Sequence, residues 1–340
     1  MISAPPNPQT WLAKFSIELG SASTQLYANG RQQVELKLKV QASSGNDQQI
    51  SATELESLRI VERDNNGVFR PLSAIEVRGG WWFSEMRNEY DFYAPGVASD
   101  TITPIRSTAE AGWAQRLLTR FKKLLTAEQA PPLLTKQLYV MTEAPGSSQK
   151  ELLAQITRDT GDAYNTDFIF VSSVVLTAVR SEEFSAAEDY LLEKNLISGT
   201  EDSGIFVYEY LLHPKAVRFL TGRMNPEGMI QWDDKTVDTR HASHVGHAGP
   251  GESDFKYDDQ IAVGSQFDKV SYVTAVSPGK ITIVLQSDIN IPYDHNSALY
   301  HNGPCRIDAI DSNGNAHALQ ISFMAPTGFP NRVNLTLMDG

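Results

Sequence analysis

Three histidines follow one another at intervals of three residues in the C-terminal half of the chain. They are His241, His244 and His247. Neutral imidazole nitrogens bind zinc, copper or nickel, and a nearby carboxylate can complete such a site. The candidate carboxylates are Asp233, Asp234, Asp238 and Asp258. This spacing suits a divalent-metal site and makes a metal-dependent enzyme one hypothesis for the function, although we favour a solvated loop here.

The alternative for this segment is a solvated loop without a metal. Gly246, Gly249 and Gly251 add backbone freedom, and ordering a flexible loop around an ion costs conformational entropy. Such a loop would gain positive charge as the pH falls toward about 6. On this interpretation no cofactor is expected.

A second group of residues suits ligand binding through flat surfaces. Residues 79–93 contain six aromatic side chains interspersed with acidic and amide groups. Aromatic rings can face sugar rings or a protein partner while polar groups fix the orientation. The predicted ligand-binding residues are Trp81, Trp82, Tyr90, Asp91 and Tyr93. Neighbouring strand residues point to opposite faces, so only one of Trp81 and Trp82 can serve the core, and core packing is the alternative for most of the six rings.

Motifs of the common catalytic sites are missing from the sequence. It contains no Gly-x-Ser-x-Gly nucleophile elbow, no phosphate-binding loop and no His-Glu-x-x-His motif. Residues 311–315 begin like a calcium loop, but their glycine is misplaced, so we interpret them as a turn. Cys305 is the only cysteine, which excludes an intrachain disulfide, and its position at a strand start favours a buried thiol. We therefore expect binding rather than catalysis.

Strands must position these residues, because period-two alternation is the clearest pattern in the chain. Residues 34–40 read Val-Glu-Leu-Lys-Leu-Lys-Val, which is typical of a strand with one buried and one solvated face. The preceding Asn29-Gly30 pair is typical of a tight turn. Short strands between turn signals predict a mainly β chain built from two or three antiparallel β-sandwich units.

One amphipathic helix is expected between the strands, over residues 107–128. It begins with the capping-box sequence Ser-Thr-Ala-Glu. Its apolar residues recur at helical spacing, and basic side chains occupy other faces. This pattern suits contact with a membrane surface. We favour a helix that covers a sheet edge or joins two sandwiches, because surface helices of soluble proteins share this pattern.

Changes in pattern divide the chain into four predicted segments. They are an N-terminal β-sandwich at 10–105, a helix with a second β-rich unit at 106–224, a His- and Gly-rich loop or linker at 225–258, and a C-terminal β-rich unit at 259–340. A chain of 340 residues exceeds the usual size of one hydrophobic core, so several domains are expected.

Composition restricts the partners. The chain has 29 Lys and Arg against 41 Asp and Glu, a formal net charge of −12. This charge repels nucleic acid, which is not an expected partner. The first residues lack a basic region followed by an apolar run, so we predict no signal peptide. Synthesis in the cytoplasm is expected, with export by a non-classical route for a protein that acts outside the cell.

Residues 26–47 resemble the bacterial immunoglobulin-like modules of invasin-type surface proteins. The resemblance lies in the Tyr-Ala-Asn-Gly corner at 27–30, the strand at 34–40 and the Ser-Gly-Asn-Asp sequence at 44–47. Such modules are β-sandwiches that space or display binding surfaces. The resemblance therefore implies Ig-like sandwich units and brings no catalytic residues with it.

These observations lead to three hypotheses of function. The first is a non-enzymatic bacterial recognition or adhesion protein that binds a glycan or protein on another cell. The second is a toxin or toxin component, for example an insecticidal or pore-forming one, that acts on a target membrane through residues 107–128. The third is the metal-dependent enzyme at the histidine cluster.

Overall fold

The computed structural model describes residues 7–44, 49–64, 66–94, 131–167, 169–232, 242–261, 277–288, 300–325 and 331–340. Within these ranges the chain forms two compact units, one ending at residue 181 and the other beginning at residue 182. Both units consist almost entirely of antiparallel sheets. The predicted mainly β, antiparallel fold is confirmed. The helix predicted at 107–128 lies outside the described residues.

The first unit contains ten strands among its described residues. They are β1 (Leu12–Leu19), β2 (Gln25–Tyr27), β3 (Val34–Ala42), β4 (Arg59–Arg63), β5 (Phe69–Pro71), β6 (Trp81–Ser84), β7 (Leu134–Thr142), β8 (Gln149–Thr157), β9 (Ala163–Asn165) and β10 (Val174–Val179). Two short helices accompany them, a 3-10 helix at Pro8–Thr10 and α1 at Ala52–Glu56. One sheet has the order β1-β3-β7-β6; the other has β2-β10-β8-β4-β5, with β9 beside β8. Both sheets contribute to one hydrophobic cluster, so the unit is a β-sandwich.

Strand β3 shows how the sequence forms this core. Its burial alternates along the whole strand, and Val34, Leu36, Leu38 and Val40 are each at most 1% exposed. The turn before it forms as expected, because Gly30 adopts a positive φ of 72°. The Asn29 side chain accepts hydrogen bonds from the backbone N–H groups of residues 31 and 32. A polar turn and an alternating strand thus place four apolar side chains in the sandwich.

The second unit contains nine strands among its described residues. They are β11 (Tyr190–Thr200), β12 (Ile205–Pro214), β13 (Phe219–Asn225), β14 (Met229–Trp232), β15 (Ala242–Ala248), β16 (Ile281–Asp288), β17 (Cys305–Asp311), β18 (Ala316–Phe323) and β19 (Leu335–Asp339). A five-stranded sheet of order β11-β12-β16-β15-β14 and a four-stranded sheet of order β13-β17-β18-β19 share a second hydrophobic cluster. This unit is also a sandwich.

The boundaries of the units differ from those predicted at 105, 224 and 258. Strand β7 pairs with β3, so the first sandwich includes residues beyond the predicted boundary at 105. Residues 182–224 belong with the C-terminal strands in the second unit. The sequence shows where strands end, but strands that pair in a sandwich can be far apart in the chain. Turn signals therefore could not assign β7 to its sheet.

The segment at 225–258, predicted as a loop or linker, contains strands β14 and β15. All seven residues of β15 are buried, including two histidines and a serine. A strand buried on both faces has no alternation of polar and apolar residues. Strand β15 was therefore not predicted, because its small and polar residues do not show the alternation typical of a strand.

Residues 311–315 form the predicted turn between β17 and β18. The Asp311 carboxylate accepts backbone hydrogen bonds from Asn313 at 2.8 Å and from Asn315 at 2.9 Å. Its second oxygen lies 3.1 Å from Nε2 of His317, and both side chains are fully buried. This turn is therefore fixed by a buried carboxylate and needs no calcium ion to account for its shape.

Candidate functional site

A cavity of about 320 Å³ lies in the first sandwich, at the β6 end of the four-stranded sheet. Its lining includes the Trp82 ring, a thioether and two carboxylates. Its lining residues are Ala74, Glu76, Trp82, Phe83, Ser84, Glu85 and Met141. A concave site with apolar walls and a few polar groups is the usual form of a ligand-binding pocket.

The edge position of β6 creates this cavity. Strand β6 pairs with β7 on one side only, through Trp82 opposite Met141 and Ser84 opposite Tyr139. On its other side a parallel bridge joins Trp82 to Ser73, and the Phe83 N–H donates to the Ser73 carbonyl at 2.9 Å. The segment that carries Ala74 and Glu76 therefore forms one wall, while β6 and β7 supply the other.

Turns at both ends of this segment hold it in place. The Ser73 hydroxyl donates to the Ile75 carbonyl at 2.6 Å, and the Gly80 N–H donates to the Val77 carbonyl at 2.9 Å. Within the second turn, Gly79 adopts a positive φ of 66° and its N–H donates to Glu143 Oε2 at 3.2 Å. The wall of the cavity is thus built from local hydrogen bonds and a contact to Glu143, the residue that follows β7.

The two adjacent tryptophans point to opposite faces of β6, as the strand geometry predicts. Trp81 belongs to the hydrophobic core of the sandwich and is 7% exposed. Trp82 lies on the other face, lines the cavity and is 5% exposed. The expectation that one of the two faces away from the core agrees with this arrangement. Trp82 is nevertheless covered rather than displayed, so it forms the inner wall of a cavity and not a flat surface platform.

The two carboxylates of the cavity differ in their surroundings. Glu85 forms an ion pair with Lys136 at 3.0 Å, and Lys136 also donates to the Leu58 carbonyl at 3.2 Å. Glu76 is exposed, and it has no ion pair within the described part of the chain. One carboxylate is therefore partly neutralised by the protein, and the other keeps its charge for the solvent or a ligand.

The other predicted ligand-binding residues, Tyr90, Asp91 and Tyr93, lie outside the lining of the cavity. The backbone carbonyls of Tyr90 and Asp91 accept hydrogen bonds from Arg87 and from Gln32 respectively. The Tyr93 ring packs edge-on against Tyr27, with centroids 5.1 Å apart. These residues belong to a segment that packs beside β2 and β3, and their proposed part in ligand binding stays a prediction.

Two buried glutamines anchor this segment, residues 85–93. Gln33 is 1% exposed; its amide nitrogen donates to the Met86 carbonyl at 3.1 Å, and its oxygen accepts from the Asn88 N–H at 2.9 Å. Arg87 lies over the Phe92 ring at 4.1 Å, and burial lowers the pKa of its guanidinium. Burial and the nearby Glu35 raise the pKa of Tyr139 beneath the segment. The polar groups interspersed with the aromatic residues thus mainly satisfy one another.

Six cavity residues were not among the predicted binding residues. Phe83, Ser84 and Glu85 lie inside the aromatic segment that drew attention to the site. Ala74 and Glu76 precede that segment, and Met141 follows it far downstream in β7. The register of β6 on β7 brings Met141 beside Trp82, and no sequence signal indicates that register.

The histidine cluster does not assemble in the described part of the structure. His241 lies outside the described residues, while His244 and His247 are in β15. Their odd spacing places them on opposite faces of the sheet, so one ion cannot be bound by both side chains. The His244 ring packs against Tyr257 with centroids 5.0 Å apart.

His247 has both ring nitrogens engaged by the backbone. Its Nε2 accepts from the Met224 N–H at 3.1 Å, and its Nδ1 lies 3.1 Å from the Glu227 carbonyl. The second contact requires a proton on Nδ1, because a carbonyl can only accept. Burial lowers the pKa of this fully buried imidazole. His247 is therefore a neutral structural residue.

Other features that could support catalysis or membrane insertion are limited among the described residues. No group of three or more His, Cys, Asp or Glu side chains there is arranged to hold a metal ion. No helix there is long and apolar enough to cross a bilayer. Cys305 is fully buried with Sγ 3.3 Å from the Gly228 carbonyl, and burial raises its pKa to about 12. Such a thiol is a poor nucleophile.

Comparison with known proteins gives only distant likenesses. No protein-family model and no curated protein sequence matches the chain. One similar solved structure is the C-terminal domain of the AgI/II polypeptide BspA from Streptococcus agalactiae, with 11% identity, 90% of this chain and 97% of that chain covered, and a TM-score of 0.25. Another is a marsupial T cell receptor, with 8% identity, 92% and 100% coverage, and a TM-score of 0.19. Both likenesses are too low to carry an argument about function.

Proposed function

We propose that this chain is a non-enzymatic recognition protein of bacterial origin that binds a glycan or a protein on another cell. The observation that carries the proposal is the cavity at the β6 edge, which Trp82 and Met141 line together with the carboxylates of Glu76 and Glu85. A concave site with apolar walls and a few polar groups that orient a ligand suits binding.

The proposed partner is a surface glycan or protein. The chain has a net charge of −12, so anionic surfaces repel it and cationic groups attract it. The resemblance of residues 26–47 to modules that display binding surfaces agrees with this role.

A substitution that adds a large side chain to the cavity tests the proposal better than one that removes a lining side chain. Trp82 is almost fully buried, so Trp82→Ala would disturb the fold as well as the site. Ala74 is exposed and lines the cavity, so Ala74→Trp adds bulk there without removing core atoms. We expect Ala74→Trp to reduce ligand binding at least about 10-fold with an unchanged melting temperature.

The matched control is Ala163→Trp. This residue is exposed in β9 of the same unit and does not line the cavity. Binding is measured with the labelled full chain on a glycan array and on intact cells by flow cytometry. If the Ala74→Trp and Ala163→Trp variants bind equally strongly, the cavity is not the binding site. If the full chain binds nothing in either assay, the recognition function is refuted.

A further inference from the structure

The polar groups of the cavity at the β6 edge accept hydrogen bonds far more than they donate them. Glu76 and Glu85 carry carboxylates, which accept only. The Ser84 oxygen already accepts from the Met86 N–H at 3.0 Å, and the lining has two side-chain donors, the Ser84 hydroxyl and the Trp82 indole N–H. A complementary ligand must therefore be rich in donors and poor in acceptors.

The apolar part of the lining favours the same kind of ligand. The ring of Trp82 carries negative electrostatic potential on its faces, which attracts cations. The Phe83 ring packs against the core cluster on the other face of β6. The thioether of Met141 adds a polarisable, apolar contact for an alkyl stem. A cation on an apolar stem matches both parts of the cavity, whereas an anionic ligand would meet two carboxylates.

The charges around the cavity leave room for one added cation. Lys136 partly neutralises Glu85 at 3.0 Å, and no ion pair involves Glu76 among the described residues. A neutral sugar would have to satisfy its hydroxyl oxygens as well as its protons, and the side chains of the lining offer those oxygens at most the Ser84 hydroxyl and the Trp82 indole N–H. An ammonium or guanidinium group carries donors only, so it leaves no unsatisfied acceptor behind.

We infer that the cavity binds the ammonium or guanidinium group of a Lys or Arg side chain on a protein partner. This inference rests on the proposed function and names its ligand class. Glu76 supplies the charge, Trp82 supplies the aromatic wall, and Met141 contacts the alkyl stem. The size of the cavity, about 320 Å³, is sufficient for one such side chain.

Short peptides that differ in one side chain test the ligand class directly. The full chain is titrated with acetyl-Gly-Arg-Gly-amide, with the lysine analogue and with the nearly isosteric citrulline analogue, and binding is followed by NMR chemical shifts. We expect both charged peptides to bind at least about 10-fold tighter than the citrulline peptide, because citrulline keeps the shape and loses the charge. Raising the salt concentration should weaken the charged peptides only.

Glu76→Gln identifies the carboxylate. We expect this variant to weaken the arginine peptide about 3-fold to 10-fold and to leave the citrulline peptide unchanged. Glu56→Gln is the matched control, since Glu56 is exposed in α1 of the same unit, away from the cavity lining. Glu85→Gln is a poorer test, because it also removes the ion-pair partner of Lys136.

Ala74→Trp separates failure of the ligand class from failure of the proposed function. If this variant abolishes binding of the arginine peptide, the result supports the inference. Methyl glycosides, one neutral and one a methyl glucosaminide, are titrated in the same way. If either binds more tightly than the arginine peptide and Ala74→Trp weakens that binding, the inference is overturned but the recognition function stands. Equal binding of the arginine and citrulline peptides also overturns it. Failure of the full chain to bind any surface in the array and cell assays refutes the proposed function itself.

Discussion

His247 is unusual in that both nitrogens of a buried imidazole contact backbone groups, the Met224 N–H and the Glu227 carbonyl. Its pKa is lowered because burial disfavours the charged form, and the positive charge of Lys256 adds to this. The unfolded chain binds this proton at a higher pH than the folded chain does. Stability from the neutral ring is therefore complete above about pH 6.5 and is lost as the pH falls toward the folded pKa.

We predict that the second unit loses stability below about pH 6.5, by up to about 1.4 kcal/mol per pH unit of this window. His247→Gln should flatten the dependence, since glutamine does not titrate. Urea unfolding of the full chain between about pH 5 and 7 measures this dependence of the unfolding free energy on pH. Glu252 does not interfere, because its hydrogen bond to Lys256 lowers its pKa below the ordinary carboxylate range. An equal pH slope in His247→Gln would contradict the assignment.

Gly246 makes close contact with the ring of Tyr257. A Cβ added at Gly246 would lie 2.5 Å from Tyr257 Cε1 and 2.8 Å from the Lys256 carbonyl oxygen. We predict that Gly246→Ala destabilises the second unit by about 1–3 kcal/mol, as overpacking usually does. Chemical denaturation measures the loss. In a Tyr257→Ala background the cost should fall, and an unchanged cost would mean that the ring contact is not the cause.

At the scale of elements, strand β3 offers a direct comparison of its two faces. Leu38 is fully buried in the core, while its neighbour Lys39 is half-buried and paired with Glu18. We predict that Leu38→Ala destabilises the first unit by about 2–5 kcal/mol. Lys39→Ala should cost less than about 1 kcal/mol, since exposed ion pairs contribute little. Comparable losses in thermal unfolding would contradict the register of this strand.

Strand patterns show what the sequence could and could not reveal. The alternation in β3 and the turn at 311–315 were predictable, because each follows from local side-chain periodicity or turn chemistry. Strand β15 was missed because it is buried on both faces and built from small and polar residues. Glycine and histidine there indicated flexibility, whereas Gly246 is needed for close packing against Tyr257.

The candidate site was predictable only in part, for a similar reason. The pair Trp81 and Trp82 pointed to the correct strand, and strand geometry predicted that they separate into core and cavity. Tyr90, Asp91 and Tyr93 were placed with them by proximity in the sequence, but they lie outside the lining of the cavity. Pairing between distant strands decides which residues meet, and single-sequence patterns do not contain it.

For the whole molecule, the two units have separate hydrophobic clusters and separate sheets. We predict that residues 1–181 and 182–340, produced as separate chains, each fold with a β-type circular dichroism spectrum and unfold cooperatively. Calorimetry of both fragments checks this. Leu38→Ala should then lower the melting temperature of the first fragment. A fragment that stays unfolded in isolation would show that its core is insufficient alone.

The buried thiol of Cys305 has a practical consequence. It is the sole cysteine of the 340 residues, and in the folded second unit it is sealed from solvent with a strongly raised pKa. A thiol-modifying reagent can reach it only when β17 opens, so its labelling rate follows the opening of one unit without a signal from the other. A new cysteine placed on the surface of the first unit would meanwhile accept a fluorophore or a tether at a single position. The chain thus carries a built-in reporter for one half and a free choice of attachment point on the other.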